Sequence, residues 1–178
     1  GSIKNGMYKF DGTDDSISID RLLIGTGPFT IVVAFSSGAL QQRGIVAQMG
    51  NTATAGDFAI RFEAAGNITA FRRTGADTTA VRYIQGTRTY AANQLVIAAV
   101  VWDGSEIYLY TQGTSDIASR SNTTWTGNAT EEGTFKIGLL KSNSTTYWFY
   151  GSIGPVFASN RAFSATEVAN QTIDMQKM

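Results

Sequence analysis

The sequence predicts an all-β sandwich closed by one short C-terminal helix. Leu95–Trp102 is an unbroken apolar run, as expected of a strand covered on both faces, and Phe29–Phe35 reads as another doubly buried strand. Short strand patterns recur about every ten residues, separated by Gly, Asn, Asp and Thr clusters that read as turns. Only Ser164–Met178 has helical character, with Ser164 three residues before Glu167 at the spacing of a capping box.

Taken in order, Met7–Phe10 alternates and runs into Asp11–Asp15, a turn whose side chains can bond their own backbone. Ser16–Ile19 resumes as a strand with Ile17 and Ile19 on one face, Leu22–Gly27 is loop-like, and Pro28 marks entry to Phe29–Phe35. Gly44–Met49 is a short apolar strand. Three half-buried strands follow, FAIRFEA from Phe58, NITAFRR from Asn67 and AVRYIQ from Ala80. In FAIRFEA the core claims Phe58, Ile60 and Phe62, which turns Ala59, Arg61 and Glu63 outward. For AVRYIQ two phases stand open, one exposing Arg82 and the other Tyr83; in NITAFRR either phase exposes Arg72 or Arg73. Leu95–Trp102 and Ile107–Thr111 form a hairpin about Asp103-Gly104, a two-residue turn signal in which Gly supplies positive φ. Its second arm is aliphatic on one face (Ile107, Leu109, Thr111) and aromatic on the other (Tyr108, Tyr110). Thr114–Gly133 is polar apart from Trp125. Phe135–Leu140 and Tyr147–Phe157 read as the last long strands, and the terminal helix is expected to turn Val168 and Ile173 inward.

Composition narrows function by exclusion. The 178 residues show no linker and suffice for a sizeable core, so residues 1–178 read as one domain. With no cysteine, neither disulfides nor thiol chemistry is available; with no histidine, the usual general base and the commonest metal ligand are missing. A formal net charge of zero argues against nucleic acid held through phosphates. No apolar run approaches the roughly 20 residues of a membrane helix, so no membrane insertion is expected.

Three stretches together resemble the laminin-G-like branch of the concanavalin A-like lectin/glucanase superfamily. Phe10-Asp11-Gly12-Thr13-Asp14-Asp15-Ser16-Ile17 is similar to the family's opening motif. The central hairpin resembles its valine-rich strand, DG turn and LY-x-x-G unit. Gly151–Val156, followed by Asn160–Val168, is similar to its closing strand and NRALSAEE-hydrophobic segment. The resemblance implies a jelly roll of two curved antiparallel sheets whose first and last strands lie close together. Some members bind calcium through loop carboxylates and carbonyls. Here Gly154-Pro155 stands where they carry an acidic pair, which argues against such a site.

A glucanase of this superfamily would need acidic residues converging on one sugar. Glu131 and Glu132 are adjacent and would point to opposite faces of a strand; Asp103 and Glu106 flank a turn, and Glu63 stands alone. No catalytic residue is expected, and the chain reads as a non-enzyme. Asp11, Asp14 and Asp15 could offer oxygens to a hard cation, but an Asx-type turn is favoured; Asp14 and Asp15 remain the weak metal candidates, and no cofactor is expected. Arg61, Arg72, Arg73, Arg82 and Arg88 crowd the three-strand run against only Glu63 and Asp77, a concentration that could read carboxylate or sulfate. In Tyr147–Tyr150, alternation puts Tyr147 and Phe149 on one face, Trp148 and Tyr150 on the other, so one pair is free to stack a sugar or fill an interface.

The expectation is therefore a non-catalytic recognition module, extracellular or on a cell or virion surface, as in a bacterial adhesin or phage particle. Its expected partner is a glycan or cell-surface polysaccharide, bound through Arg61, Arg72, Arg73, Arg82, Tyr83, Trp148 and Tyr150. The alternative is a structural virion decoration or fibre protein whose partners are other protein subunits.

Overall fold

The computed structural model describes residues 2–4, 6–19, 27–50, 58–74, 77–117, 119–120, 133–142 and 145–178. Among these, the backbone alone is described at 2–4, 48–50, 72–74, 77–82, 119–120, 133, 141–142 and 145. Two seven-stranded antiparallel sheets pack face to face as a jelly-roll sandwich. The first runs β1 (Ser2–Lys4), β2 (Met7–Asp11), β16 (Tyr150–Ser159), β4 (Phe29–Ser37), β9 (Leu95–Trp102), β10 (Ile107–Thr111) and β11 (Thr114–Ser115). The second runs β12 (Ser119–Arg120), β8 (Asp77–Gln85), β7 (Ile68–Thr74), β6 (Phe58–Phe62), β5 (Arg43–Gly50), β13 (Gly133–Ile137) and β3 (Ile17–Ile19). A separate hairpin pairs β14 (Leu139–Ser142) with β15 (Thr145–Trp148), and α1 (Ala165–Gln176) is the helix. Beginning and end of the chain meet where β2 pairs with β16.

The stretches Phe29–Phe35 and Leu95–Trp102 fall in the central strands β4 and β9, which are neighbours. Phe29, Ile31, Val33 and Phe35, with Val96, Ala98, Val100 and Trp102, face the inter-sheet core. Val32 and Ala34, with Ile97, Ala99 and Val101, face outward and are covered by Val168 and Met175 of α1. Period-two alternation thus serves two cores at once. Across the sandwich Phe29 meets Phe58 and Phe35 meets Phe62 edge-on, at centroid distances of 5.1 and 5.8 Å. Each such pair contributes about 0.5–1.5 kcal/mol beyond the area it buries.

Five expectations need correction. The β9–β10 turn spans Asp103–Glu106, four residues rather than two: Trp102 pairs with Ile107, and the Asp103 Oδ1 accepts from the amides of Ser105 and Glu106. Phe135–Leu140 is not one strand, because Gly138 at φ +83° turns the chain out of the sheet. Tyr147–Phe157 likewise breaks at Phe149, whose amide donates to the Gly138 carbonyl at 2.8 Å. That break places Phe149 in the main core while Tyr147 packs on the outside of the second sheet, so the two do not share an environment. Finally, α1 buries Val168, Thr172 and Met175 at helical spacing and leaves Ile173 about half exposed. Among the described residues α1 is the only helix, and it carries the expected capping box, with the Ser164 hydroxyl accepting from the Glu167 amide.

Candidate functional site

The two outer faces of the sandwich differ in kind. That of the first sheet is occupied by α1. On the second sheet, register carries one outward row through Lys136, Ala47, Ala59, Phe71 and Tyr83, and another through Gly44, Arg61, Thr69 and Gln85. The β14–β15 hairpin folds back over part of this face. Leu140 packs with Ala47, Ala59 and Phe71, and Tyr147 lies against them. Gly44 permits this approach, since a Cβ there would lie 2.3 Å from that of Leu140. Phe71 is consequently buried, whereas Tyr83 is 38% exposed.

Beside this small outer core lies a chain of polar contacts. The Arg61 Nε donates to the Glu63 Oε1 at 2.7 Å, and the Gln42 Nε2 donates to the Glu63 Oε2 at 2.9 Å. The Arg61 guanidinium also sits 5.4 Å from the Phe71 ring centroid, a cation–π contact that fixes its position. Its charge is therefore compensated and partly desolvated, with side-chain exposures of 21% for Arg61 and 14% for Glu63. Arg61 and Glu63 share a face because they stand two apart on one extended stretch; Gln42 arrives from the loop before β5.

Core placement of Ile84 settles the phase of β8, so Tyr83 joins the outward row. Arg82 shares Ile84's parity. Register pairs it with Arg72 in the row of the core residue Phe58, three rows from Arg61, and pairs Arg73 with Val81 one row further. The side chains of Arg72, Arg73 and Arg82 lie outside the described residues. Arg88 is committed to the fold, its Nη1 donating to the Thr111 carbonyl at 3.0 Å. Trp148 and Tyr150 do not join the Arg61 row. Trp148 is half-buried and its carbonyl accepts from the Arg43 Nη1 at 2.9 Å, while Tyr150 stands exposed at the sheet end against Gly12 and Gly38. Trp125, Glu131 and Glu132 lie outside the described residues.

The opening acidic turn brings carboxylate oxygens of Asp11, Asp14 and Asp15 within 4.8 Å of one another. Much of this geometry is internal bonding: the Asp11 Oδ1 accepts from the amides of Thr13 and Asp14, and the Asp15 Oδ2 accepts from the Asp11 amide. The Thr13 amide in particular holds the Asp11 carboxyl below its ordinary value. These are the contacts of an Asx-type turn. One polar residue passed unremarked in the sequence. Asp116, 1% exposed, accepts from the amides of Thr87 and Arg88 and from the hydroxyls of Thr87 and Thr111. A lone Asp in a polar stretch carries no signal of such a role, whereas the Arg61–Glu63 pair was visible in the alternation of FAIRFEA.

With this geometry in view, comparison with known proteins is informative at the level of fold. The carbohydrate-binding module CBM40 of the Ruminococcus gnavus IT-sialidase, bound to α2,3-sialyllactose, superposes with a TM-score of 0.76 at 14% identity, covering 94% of this chain and 97% of that one. The heptameric SAP-like pentraxin of Limulus polyphemus gives 0.69 at 14% identity, covering 92% and 80%. The binding domain of botulinum neurotoxin DC, in complex with SialylT, gives 0.72 at 8% identity, covering 99% of this chain and 44% of that one. No curated protein sequence matches the chain. A family model described as the concanavalin A-like lectin/glucanases superfamily matches residues 11–169, from the end of β2 into the first turns of α1, and the chain belongs to that family.

Proposed function

We propose that this protein is a non-catalytic glycan-binding module using the outer face of its second sheet, with Arg61, Glu63 and Tyr83 as the contact residues. The observation that carries this reading is the asymmetry of the two outer faces. One has its centre covered by α1, and the other presents a partly exposed donor–acceptor pair on β6 and an exposed aromatic ring on β8, with Phe71 between them. Hydroxyl-rich ligands need such groups, and a tyrosine ring suits a sugar's apolar face. Of the neighbouring arginines, Arg73 shares the strand parity of Phe71 on this face, whereas Arg72 and Arg82 share that of the core residues Phe58 and Ile84; Trp148 and Tyr150 stand apart from it. The superposed CBM40 and toxin domains, whose structures contain sialyl ligands, support a carbohydrate in general. Among the described residues, the acidic side chains of the Asp11–Asp15 turn are the only group of three or more that converges. A cell-surface or capsular polysaccharide is the natural ligand for an outward-facing module of this kind, in an adhesin, a secreted protein or a phage particle. A glycan array probed with the purified chain, with and without calcium, should show binding that Tyr83→Ala reduces. Binding untouched by Tyr83→Ala and Arg61→Ala together would move the site off this face.

A second reading has its own observation. Leu40, Leu95 and Tyr150 are 41–48% exposed, and all adjoin Ser36–Leu40: Leu95 pairs with Ser36, and the Tyr150 ring packs on Gly38. A structural particle protein would bury such residues against another subunit. Light scattering after gel filtration decides it: an oligomer that Leu40→Ser with Leu95→Ser dissociates supports assembly through this end, and a monomer removes it.

A further inference from the structure

We propose that Glu63, braced by Gln42, both contacts the ligand and holds Arg61 as one half of a charge-neutral donor–acceptor pair, so that the face selects neutral, hydroxyl-rich sugars over carboxylated or sulfated ones. The inference rests on the glycan reading above and deepens it.

The geometry assigns each group a task. Glu63 holds the Arg61 Nε at 2.7 Å, and Phe71 supports the guanidinium from one side, so the terminal Nη groups are left as the outward donors. Each Glu63 oxygen takes one bond, from Arg61 or from Gln42, and keeps a lone pair for a second. The pair therefore offers donors and acceptors a few ångströms apart with no net charge. A sugar hydroxyl is both donor and acceptor and can accept from Arg61 while donating to Glu63. A carboxylate or sulfate has acceptors only; it would satisfy Arg61 but bring a second anion against Glu63.

The neighbouring arginines do not restore a positive field at this point. Register places Arg72 and Arg82 three rows, and Arg73 four rows, along the strands from the Arg61 row. At about 3.3 Å per residue that is roughly 10 and 13 Å of backbone separation. These backbone separations exceed the Debye length of about 8 Å at physiological salt. A surface read from sequence as a basic cluster is, at Arg61, a neutral pair.

The test uses the full chain and matched probes: glucose and glucuronic acid oligomers, galactose and galacturonic acid oligomers, and their sulfated forms. Wild type should prefer the neutral member of a pair, with affinity indifferent to salt between low and physiological strength. Glu63→Gln keeps the shape and removes the charge. It should weaken neutral binding about tenfold, the equivalent of one charge-assisted hydrogen bond, while acidic binding rises and becomes salt-sensitive. Gln42→Ala changes no charge and should weaken neutral binding several-fold without altering charge preference. Thermal melts show whether Glu63→Gln folds; should it fail to, wild-type selectivity and Gln42→Ala decide alone. No binding to any probe, neutral or acidic, would remove the glycan reading itself. Binding confined to acidic probes, or neutral binding that neither variant alters, would overturn the role given to Glu63 and leave the glycan reading standing.

Discussion

Asp116 joins the two sheets at one edge, and its removal should be felt throughout the domain. Its carboxylate lies between the start of the loop after β8 and the turn beyond β10. It accepts at 2.8 and 2.7 Å from the amide and hydroxyl of Thr87, at 3.1 Å from the Arg88 amide, and at 2.9 Å from the Thr111 hydroxyl. A hydrogen bond to a charged group contributes about 1.5–3 kcal/mol, and losing a buried acceptor strands its donors as well. Four such bonds are not additive; Asp116→Ala should cost about 3–5 kcal/mol, the upper range for a single substitution. For a chain of this size each kcal/mol moves Tm by roughly 2–4 °C, so the expected fall is about 6–20 °C. Asp116→Asn keeps an oxygen for the three bonds at Oδ1 and lets the Thr111 hydroxyl reverse its role, and should cost about 1–2 kcal/mol. Protonation provides an independent check. Burial pushes this carboxyl up, but the bonds from Thr87, Arg88 and Thr111 outweigh it and hold it below its ordinary 3.8. The folded state therefore binds its proton later than the unfolded chain does. The stabilisation is full above the unfolded value and is lost as pH falls through it towards the folded one. The gap in stability between wild type and Asp116→Asn, measured by urea unfolding, should narrow below about pH 4. A Tm loss under about 2 °C for Asp116→Ala, or a gap that widens in acid, would refute this account.

Other outcomes follow from features of the same fold. The Arg161 guanidinium at 2.6 Å, with the Ser164 amide and hydroxyl, holds Glu167 down at about 2; this support for α1 is present above the ordinary 4.5 and lost as pH falls towards 2, so amide exchange in Ala165–Gln176 should accelerate there before the sheets open, and Glu167→Gln should show the faster exchange already at neutral pH. Chelator should leave Tm unchanged, since the Asp11–Asp15 carboxylates are largely engaged with their own turn; a drop restored by calcium would contradict this. Gly138→Ala combines a positive φ with a Cβ 2.2 Å from the Phe10 ring and should destabilise by several kcal/mol, read by urea unfolding.

Much of the sandwich was legible because burial on two faces leaves an unmistakable run: Phe29–Phe35 and Leu95–Trp102 could be placed at the centre without any pairing information. The capping box was legible because it is local. Where the reading failed, the deciding contact was distant. Gly138 sits inside an apolar stretch that continues past it, and only its bonds to Ile45 and Phe149 show that the chain has left the sheet. Ile173 looked apolar enough to be core, but burial follows Val168, Thr172 and Met175. At the candidate face, alternation correctly turned Arg61 and Glu63 outward, yet one strand cannot say which of its charges a neighbour cancels. The phase of AVRYIQ stayed open for the same reason, until pairing with β7 placed Ile84 beside Ala70 in the core.

The stitch between Gly138 and Phe149 has a consequence for how such a domain can change over generations. The chain leaves the sandwich at one of these residues and returns at the other, 2.8 Å from nitrogen to oxygen, so everything between them is an excursion with fixed ends. Its length can double for only about 0.6 kcal/mol of closure entropy, and the strands on either side need not move. Yet Leu140 and Tyr147, on that excursion, form part of the wall over Ala47, Ala59 and Phe71. Insertions and substitutions here would therefore reshape what the outer face presents while leaving the pairing of the central strands alone. The cover of the outer face and the pairing of the central strands thus lie on separate stretches of the chain and can drift independently.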